Sequence, residues 1–437
     1  MLQIKNTLGG GGGATKLDNI LSIKASENLK AGDPVELTVS ATKLADHVAA
    51  PWDTEIQYST QNNFTLSDGK VLSIWTANNN YKASLLDIDS NGVITVLKTL
   101  AIENDISGKF SLLNDTVMFV AGSSFGRITV DVTTNDLTYN TYPLMPVPTE
   151  GKSISSVSLH QLNSNRVLVL FSQYNSRNNY NGYVYIYDIS TSSYVKGITL
   201  STGTHDFNPY SITKIGNNMF NSGYYNGSTD YFCCFTLNST FSSISNKYIT
   251  GYNVSSGSLD PDVEYVYSSN SSSGAQHLVY YMKLLNTGEL IISGHSLPYD
   301  LYSRFASIPD NGGYTSITSV YKIANNFYLE LGRTGNTYYS GHMGIAYVRD
   351  HVADRLKGAQ VIGFNTGSGL YYATWFGMFF KRNGCYYAVN IAKPDGSSTK
   401  YYYVQRFQFN AIKSKSIIHG IAVNNIASGG DGQMYTL

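Results

Sequence analysis

Leu66-Ser67-Asp68-Gly69-Lys70-Val71-Leu72 sets an Asp-Gly turn between two apolar runs, the local signature of a β-hairpin. The signature recurs as Leu112-Leu113-Asn114-Asp115-Thr116-Val117, Leu162-Asn163-Ser164-Asn165-Arg166-Val167 and Ile215-Gly216-Asn217-Asn218-Met219-Phe220. Three further copies are Leu285-Asn286-Thr287-Gly288-Glu289-Leu290, Ile323-Ala324-Asn325-Asn326-Phe327 and Lys381-Arg382-Asn383-Gly384-Cys385-Tyr386. Seven hairpins of one kind in one chain point to a repeated β unit.

About twenty residues after most of these lies a second mark, an alternating strand that runs into another turn. It reads Leu86-Asp87-Ile88-Asp89-Ser90-Asn91-Gly92, Val130-Asp131-Val132-Thr133 and Tyr187-Asp188-Ile189-Ser190. Weaker copies are Phe235-Thr236-Leu237-Asn238, Phe305-Ala306-Ser307-Ile308-Pro309-Asp310-Asn311-Gly312 and Phe407-Gln408-Phe409-Asn410. Two hairpins make four strands, and repeats of roughly 40–50 residues with four strands mark propeller blades. The expected fold is therefore all-β, a β-propeller of seven four-stranded blades. Uneven spacing between about 250 and 320 leaves six or eight blades open.

Closure of a ring brings its first and last blades together, so the flanking segments leave it side by side. Near the start, Leu21-Ser22-Ile23-Lys24-Ala25 and Val35-Glu36-Leu37-Thr38-Val39 alternate about the turn Ala31-Gly32-Asp33-Pro34. Near the end, Ile417-Ile418-His419-Gly420-Ile421-Ala422-Val423 reads as a strand, Asn424–Gly432 as a loop and Gln433-Met434-Tyr435-Thr436-Leu437 as a last strand. The expected organisation is a Gly-rich flexible arm (1–16), a first half-module (17–54), the propeller (55–415) and a second half-module (416–437). The two halves would co-fold as a small β-barrel-like module into which the propeller is inserted.

The order Ala31-Gly32-Asp33-Pro34-Val35-Glu36-Leu37, then Gly420-Ile421-Ala422-Val423, then Ala427-Ser428-Gly429-Gly430-Asp431-Gly432 resembles small β attachment modules of tailed-bacteriophage virion proteins. It covers about 50 residues, and some 360 stand where that family has a short connection. The resemblance implies a virion-surface location on tail or capsid, synthesis in the cytoplasm of a bacterial host, and other virion proteins as partners. It also implies homo-oligomers, with a trimer favoured. Gly32, Asp33, Pro34, Gly420, Ile421 and Ala422 would belong to the attachment module.

Bulk composition narrows the classes further. The 30 basic residues are offset by 30 acidic ones, so no basic field exists to neutralise phosphates or seek an anionic membrane. Nucleic acid and membrane insertion are not expected, and Met1–Gly13 lacks the apolar core of a secretory leader. Three cysteines, Cys233, Cys234 and Cys385, form neither a disulfide framework nor a zinc pattern. No cofactor or metal is expected. Asp87-Ile88-Asp89-Ser90-Asn91-Gly92 matches half of a calcium loop, but Lys98 stands where the closing carboxylate belongs, so a hairpin turn is the better reading. Ser67-Asp68-Gly69 resembles a sialidase Asp-box, with Trp75 one residue late and no arginine cluster to hold a carboxylate substrate. His342 and His351 lie nine apart and read as ordinary histidines.

The composition is dominated by 36 Tyr among many Ser, Asn, Gly and Thr. Tyrosine supplies rigid amphipathic contact area, which suits both packing between blades and stacking on sugar rings. Most should pack; Tyr180, Tyr183, Tyr224 and Tyr225, placed in loops by this reading, are the candidates to face a ligand. The expected protein is not an enzyme. It is a tail-fibre or baseplate receptor-binding protein that adheres to a host surface glycan or protein. The alternatives are a capsid decoration protein or head fibre, and a glycan depolymerase, which would need two converging carboxylates.

Overall fold

A computed structural model describes residues 20–49, 62–77, 80–103, 106–121, 124–143, 154–174, 180–204, 208–209, 212–216, 218–225, 230–252, 266–270, 276–284, 290–298, 315–324, 327–334, 340–349, 352–356, 361–362, 372–382, 385–393 and 401–437. Among them every named element is a β-strand. The segment 1–16 and the Phe305–Gly312 turn lie outside the described residues.

After β1 (Ile20–Ala25) and β2 (Pro34–Ala49), the chain lays down antiparallel sheets one after another. The first holds β3 (Asn62–Thr65), β4 (Val71–Ala77), β5 (Asn80–Ile88) and β6 (Ile94–Ile102). The second holds β7 (Ile106–Leu113), β8 (Thr116–Ala121), β9 (Ser124–Asp131) and β10 (Asp136–Pro143). The third holds β11 (Ile154–Gln161), β12 (Arg166–Tyr174), β13 (Tyr180–Asp188) and β14 (Ser193–Thr204). In the fourth, β15 (Asn208–Pro209) and β16 (Thr213–Gly216) both pair with β17 (Met219–Tyr225), followed by β18 (Asp230–Leu237) and β19 (Ile244–Tyr252).

The fifth sheet shows β20 (Val266–Asn270), β21 (Gln276–Leu284) and β22 (Leu290–Pro298). The sixth shows β23 (Thr315–Ala324), β24 (Phe327–Thr334), β25 (Ser340–Arg349) and β26 (Val352–Leu356), with β27 (Val361–Ile362) also on β25. Last come β28 (Tyr372–Arg382), β29 (Cys385–Lys393) and β30 (Tyr401–Lys413), then β31 (Gly420–Ala422) and β32 (Asp431–Thr436). β2 pairs antiparallel with β30 over a ribbon that runs from Val35 opposite Lys413 to Ala49 opposite Tyr401. It thereby adds the fourth strand to β28, β29 and β30. β28 also approaches β3 within 8 Å between Cα atoms, so the last sheet meets the first.

The turns show why these residues fold this way. Among the described residues, left-handed backbone falls mostly on Gly, Asn and Asp, as at Gly69 (φ 85°), Gly92 (φ 80°), Asn114 (φ 47°) and Asp115 (φ 56°), types that tolerate it; Ser192 and Phe241 (each φ 52°) are the exceptions. At four equivalent turns an Asx side chain accepts backbone N–H groups just downstream. Asp89 takes Asn91 and Val93, Asp131 takes Thr133 and Thr134, Asp188 takes Ser190 and Thr191, and Asn238 takes Ser242 and Ser243. The repeat is thus chemical as well as geometric.

Strands at the centre of the sheets are apolar on both faces because a sheet lies on each side. In β8, Val117, Phe119 and Ala121 pack with Leu72, Ile74 and Leu85 of the first sheet. Met118 and Val120, on the opposite face, pack with Val167, Val169 and Phe171 of the third. β12 repeats the device: Leu168 and Leu170 face Phe220 and Phe235 of the fourth sheet.

Three expectations need correction. Phe407-Gln408-Phe409-Asn410 makes no turn; β30 runs straight through it, held in register by Ala41, Ser40, Val39 and Thr38 of β2. The strand expected over 417–423 shortens to Gly420–Ala422, since Ser414 caps the preceding bend by accepting the Ser416 and Ile417 N–H groups. A boundary at 415/416 separates β31 and β32 from β30, although β30 belongs to the same sheet as β1, β2, β31 and β32.

Gly126 sits opposite Phe119, and a Cβ there would lie 2.2 Å from the Phe119 ring, which is fully buried and has no room to yield. Gly126→Ala is expected to destabilise the chain by about 1–3 kcal/mol. Urea unfolding should show a lower midpoint, partly restored when Phe119→Leu is added.

Candidate functional site

The residues expected to form an attachment module are brought together by backbone pairing. β1 lies antiparallel to β32, from Ile20 opposite Tyr435 to Lys24 opposite Asp431. β32 pairs with β31, and β31 with β2 through Pro34 opposite Ile421 and Val35 opposite Gly420. β2 pairs with β30, and β30 returns to β1 in parallel through Lys24 opposite Asn410 and Ala25 opposite Ala411. The circuit β1-β32-β31-β2-β30 closes on itself, so these strands leave no open edge at their paired ends.

Alternation fills the interior. Leu21, Ile23 and Ala25 of β1, Val35 and Leu37 of β2, Phe409 and Ala411 of β30, Ala422 of β31 and Met434 of β32 share one core. Leu29 and Ile426 exchange backbone hydrogen bonds at 2.9 Å in both directions and close one end.

The six expected module residues are neighbours in this circuit, and for the glycines and Pro34 the geometry accounts for the residue type. Gly32 takes φ 88°, and its N–H donates to Ala422 O at 2.9 Å. Ala422 N–H answers by donating to Asp33 O at 3.0 Å. The Asp33 carboxylate accepts Lys413 Nζ at 2.7 Å and the Lys30 N–H at 2.9 Å. The Lys413 hydrogen bond, with that of Lys30, holds the carboxyl below the usual value of 3.8. Pro34 needs no N–H at the start of β2, while its carbonyl accepts the Ser414 N–H at 3.0 Å. At Gly420 a Cβ would stand 2.3 Å from Tyr435 O and 2.5 Å from Met434 Cε, so only glycine lets β31 approach β32. Ile421 stands opposite both Pro34 and Tyr435.

The module core also includes residues that sequence reading did not place there. Ala324 and Phe327, from the turn of the β23–β24 hairpin, are buried in it, with Phe327 set edge-on to Phe409 at 6.1 Å between centroids. Tyr386 of β29 stacks on Phe407 at 5.5 Å and its hydroxyl accepts the Ser22 N–H at 3.3 Å; burial pushes its hydroxyl up to about 12. His419, already expected in the second half-module, is 3% exposed, and its Nδ1 accepts the Leu37 N–H at 3.0 Å. The only local hint was the apolar pair flanking Asn325-Asn326, which looks like any other hairpin.

Tyr180 and Tyr183 do not converge. Tyr180 and Tyr183 lie on β13, in unbroken register with Tyr174 and Phe171 of β12, so their odd spacing sends them to opposite faces. Tyr180 packs against the core between the third and fourth sheets. Tyr183 is 8% exposed between the second and third, its ring stacked on Phe171 at 5.4 Å and its hydroxyl accepting Asn181 Nδ2 at 3.2 Å. That ring face is not offered to a sugar. Tyr224 and Tyr225 are strand residues too, opposite Tyr231 and Asp230 of β18.

The other motifs resolve into structure. Asp89 caps its own turn, and Lys98 pairs with Asp136 at 3.1 Å. Ser67 donates its N–H and its hydroxyl to Asp115 of the second sheet. Trp75 is buried, donates Nε1–H to Ser84 Oγ at 2.9 Å, and has Lys82 Nζ 5.2 Å from its ring centre. His342 lies in β25 opposite Gly332, and His351 falls outside the described residues. Among the described residues no group of three His, Cys, Asp or Glu could hold a metal ion.

No protein-family model matches the chain, and no curated protein matches it. Solved structures with a similar strand arrangement include AztD from Citrobacter koseri, 10% identical over 87% of this chain and 98% of that one, with a TM-score of 0.42. The β-propeller domain of the Trilobed protease from Pyrococcus furiosus is 10% identical over 79% and 95%, with a TM-score of 0.37. TolB from Acinetobacter baumannii is 15% identical over 64% and 61%, with a TM-score of 0.32. Likenesses of this size carry no argument about activity, ligand or partner.

Two outcomes are expected of the module. Gly420→Ala should cost about 1–3 kcal/mol, because the clash is with backbone rather than with a movable side-chain tip. The Asp33 contribution is present above the ordinary carboxylate value and is lost as pH falls through its lowered folded value. The stability gap between the native chain and Asp33→Asn should therefore shrink on acidification below about pH 4, as read by thermal melts.

Proposed function

We propose that this chain is an adhesive virion protein of a tailed bacteriophage. In this reading a seven-bladed β-propeller is displayed on a small five-stranded β-barrel, and the barrel is the attachment module. The propeller meets a host surface glycan or protein, and several copies acting together turn weak contacts into firm adhesion.

The closed circuit of strands carries this proposal. Both flanks of the sequence are paired in one sheet, and β2 is shared between that circuit and the last four-stranded sheet. A body that leaves and re-enters a module through one ribbon suits a carrier with a displayed head. The residues of the phage-like motifs, Gly32, Asp33, Pro34, Gly420, Ile421 and Ala422, are neighbours in that circuit. Exposed apolar side chains support an assembly role. Ile412, Ile417, Tyr435 and Leu437, in the module or its linking loop, are large hydrophobic residues exposed at the surface.

The circuit also dictates how to test the module by itself. A stub must retain β30, so residues 1–49 joined by a short turn to 401–437 form the unit to express during infection. Because the stub lacks Ala324, Phe327 and Tyr386 of the shared core, its cooperative unfolding is checked first; the folded stub is expected in purified particles, and its absence beside incorporated full-length chain sinks the attachment reading. The full chain should adhere to host cells without liberating sugar. Released oligosaccharide would replace adhesion with depolymerisation.

A further inference from the structure

His419 lies between β30 and β31, where three parts of the protein meet. Its N–H donates to Val35 O at 2.8 Å, and its carbonyl accepts the Leu437 N–H at 3.3 Å. Its Nδ1 accepts the Leu37 N–H at 3.0 Å, and its ring meets Phe327 of the β23–β24 hairpin at 6.3 Å and 66°. One residue thus holds β2, the end of β32 and the sixth sheet.

A backbone N–H is a donor in every state, so Nδ1 must present its lone pair and the ring proton must sit on Nε2. A proton added to Nδ1 would face the Leu37 N–H directly. It would replace the hydrogen bond with repulsion, orphan a buried donor and place a charge among apolar side chains. The closed arrangement therefore excludes the imidazolium, whereas an opened segment would take up a proton near pH 6.5, as free histidine does.

We propose that His419 is an acid-sensitive latch: proton uptake at Nδ1 releases β31, β32 and the β23–β24 hairpin from β2, loosening the terminal module from the body. The inference rests on hydrogen-bond geometry and goes beyond the adhesive function. Charged or titratable groups on the surrounding elements are Asp33, Glu36, Lys43, Asp46 and His47 on or beside β2, Arg406 and Lys413 on β30, Lys415 after it, Asp431 on β32, and Lys322, Glu330 and Arg333 on the hairpin. Asp33 is bound to Lys413. Carboxylates as a class titrate near pH 4, so the interval from pH 7 to 5 isolates imidazole.

The test is hydrogen exchange of peptides spanning residues 417–437 in the full chain, compared with His419→Asn. The Asn Oδ1 can accept the same N–H and carries no titrating proton. Protection in the native chain should fall about tenfold per pH unit below roughly pH 6, as expected when opening takes up one proton. In His419→Asn it should change by less than about twofold over the same range. Equal acid response in the variant, or none in the native chain, overturns the latch. Should the variant fail to fold, nitrogen NMR of the native chain at pH 7 decides by itself. An unprotonated Nδ1 at His419 supports the latch, and a protonated one refutes it.

Discussion

Everything distinctive about this molecule depends on the antiparallel ribbon of β2 and β30. It joins residues nearly the whole chain apart, with Leu37 opposite Ala411, Thr38 opposite Asn410 and Ser40 Oγ accepting Asn410 Nδ2 from 370 positions away. The closure entropy of so long a loop grows only with the logarithm of its length, by about 0.6 kcal/mol per doubling. A ladder reaching from Val35–Lys413 to Ala49–Tyr401 offsets that easily. Kinetics bear the larger burden, because the ends can pair only after the intervening sheets have brought them close.

Between those ends, each sheet is incomplete alone. A four-stranded sheet with two apolar faces needs a neighbour on each, and side chains reach across as well. Gln161 Nε2 donates to Ser111 O at 2.6 Å and Thr116 O at 2.8 Å, and Tyr187 hydroxyl donates to Pro143 O at 2.6 Å. Arg166 NH1 donates to Phe241 O at 2.9 Å, and Lys70 Nζ to Val132 O at 3.2 Å. Tyrosine suits this arrangement since its ring fills the seam while its hydroxyl finds a carbonyl. The cluster of Phe125, Tyr187, Tyr194, Tyr185 and Phe171 is such a seam, and burial there pushes the Tyr194 hydroxyl well above its ordinary value.

Local turn chemistry and the meeting of the two chain ends were legible in the sequence, and the finer long-range partners were not. Asp68-Gly69, Asn114-Asp115 and Asp89 through Gly92 announce turns because short-range sterics and Asx hydrogen bonds are encoded in the residues themselves. Asn410 looked like a turn residue for the same reason. Its actual partner is Ser40, whose Oγ accepts Asn410 Nδ2 at 2.9 Å across 370 positions. The tyrosines were expected in loops and lie in strands. The spacing of Tyr180 and Tyr183 already placed them on opposite faces once they were in a strand. The Asn181-Gly182 pair between them suggested a loop, whereas both residues sit in register opposite Gln173 and Ser172. The role of Phe327 had no local signal beyond the apolar flank of an ordinary hairpin, since its neighbours come from β30 and the segment before β31.

The sharing of β2 has a mechanical side. Where β2 and β30 span both the closed circuit and the last sheet, tension between the two regions runs along the strand axes. Antiparallel hydrogen bonds lie perpendicular to that direction. The rungs are therefore loaded in shear, many at once, instead of being peeled open singly from one end. A ribbon of this design yields late and abruptly when pulled along its strands.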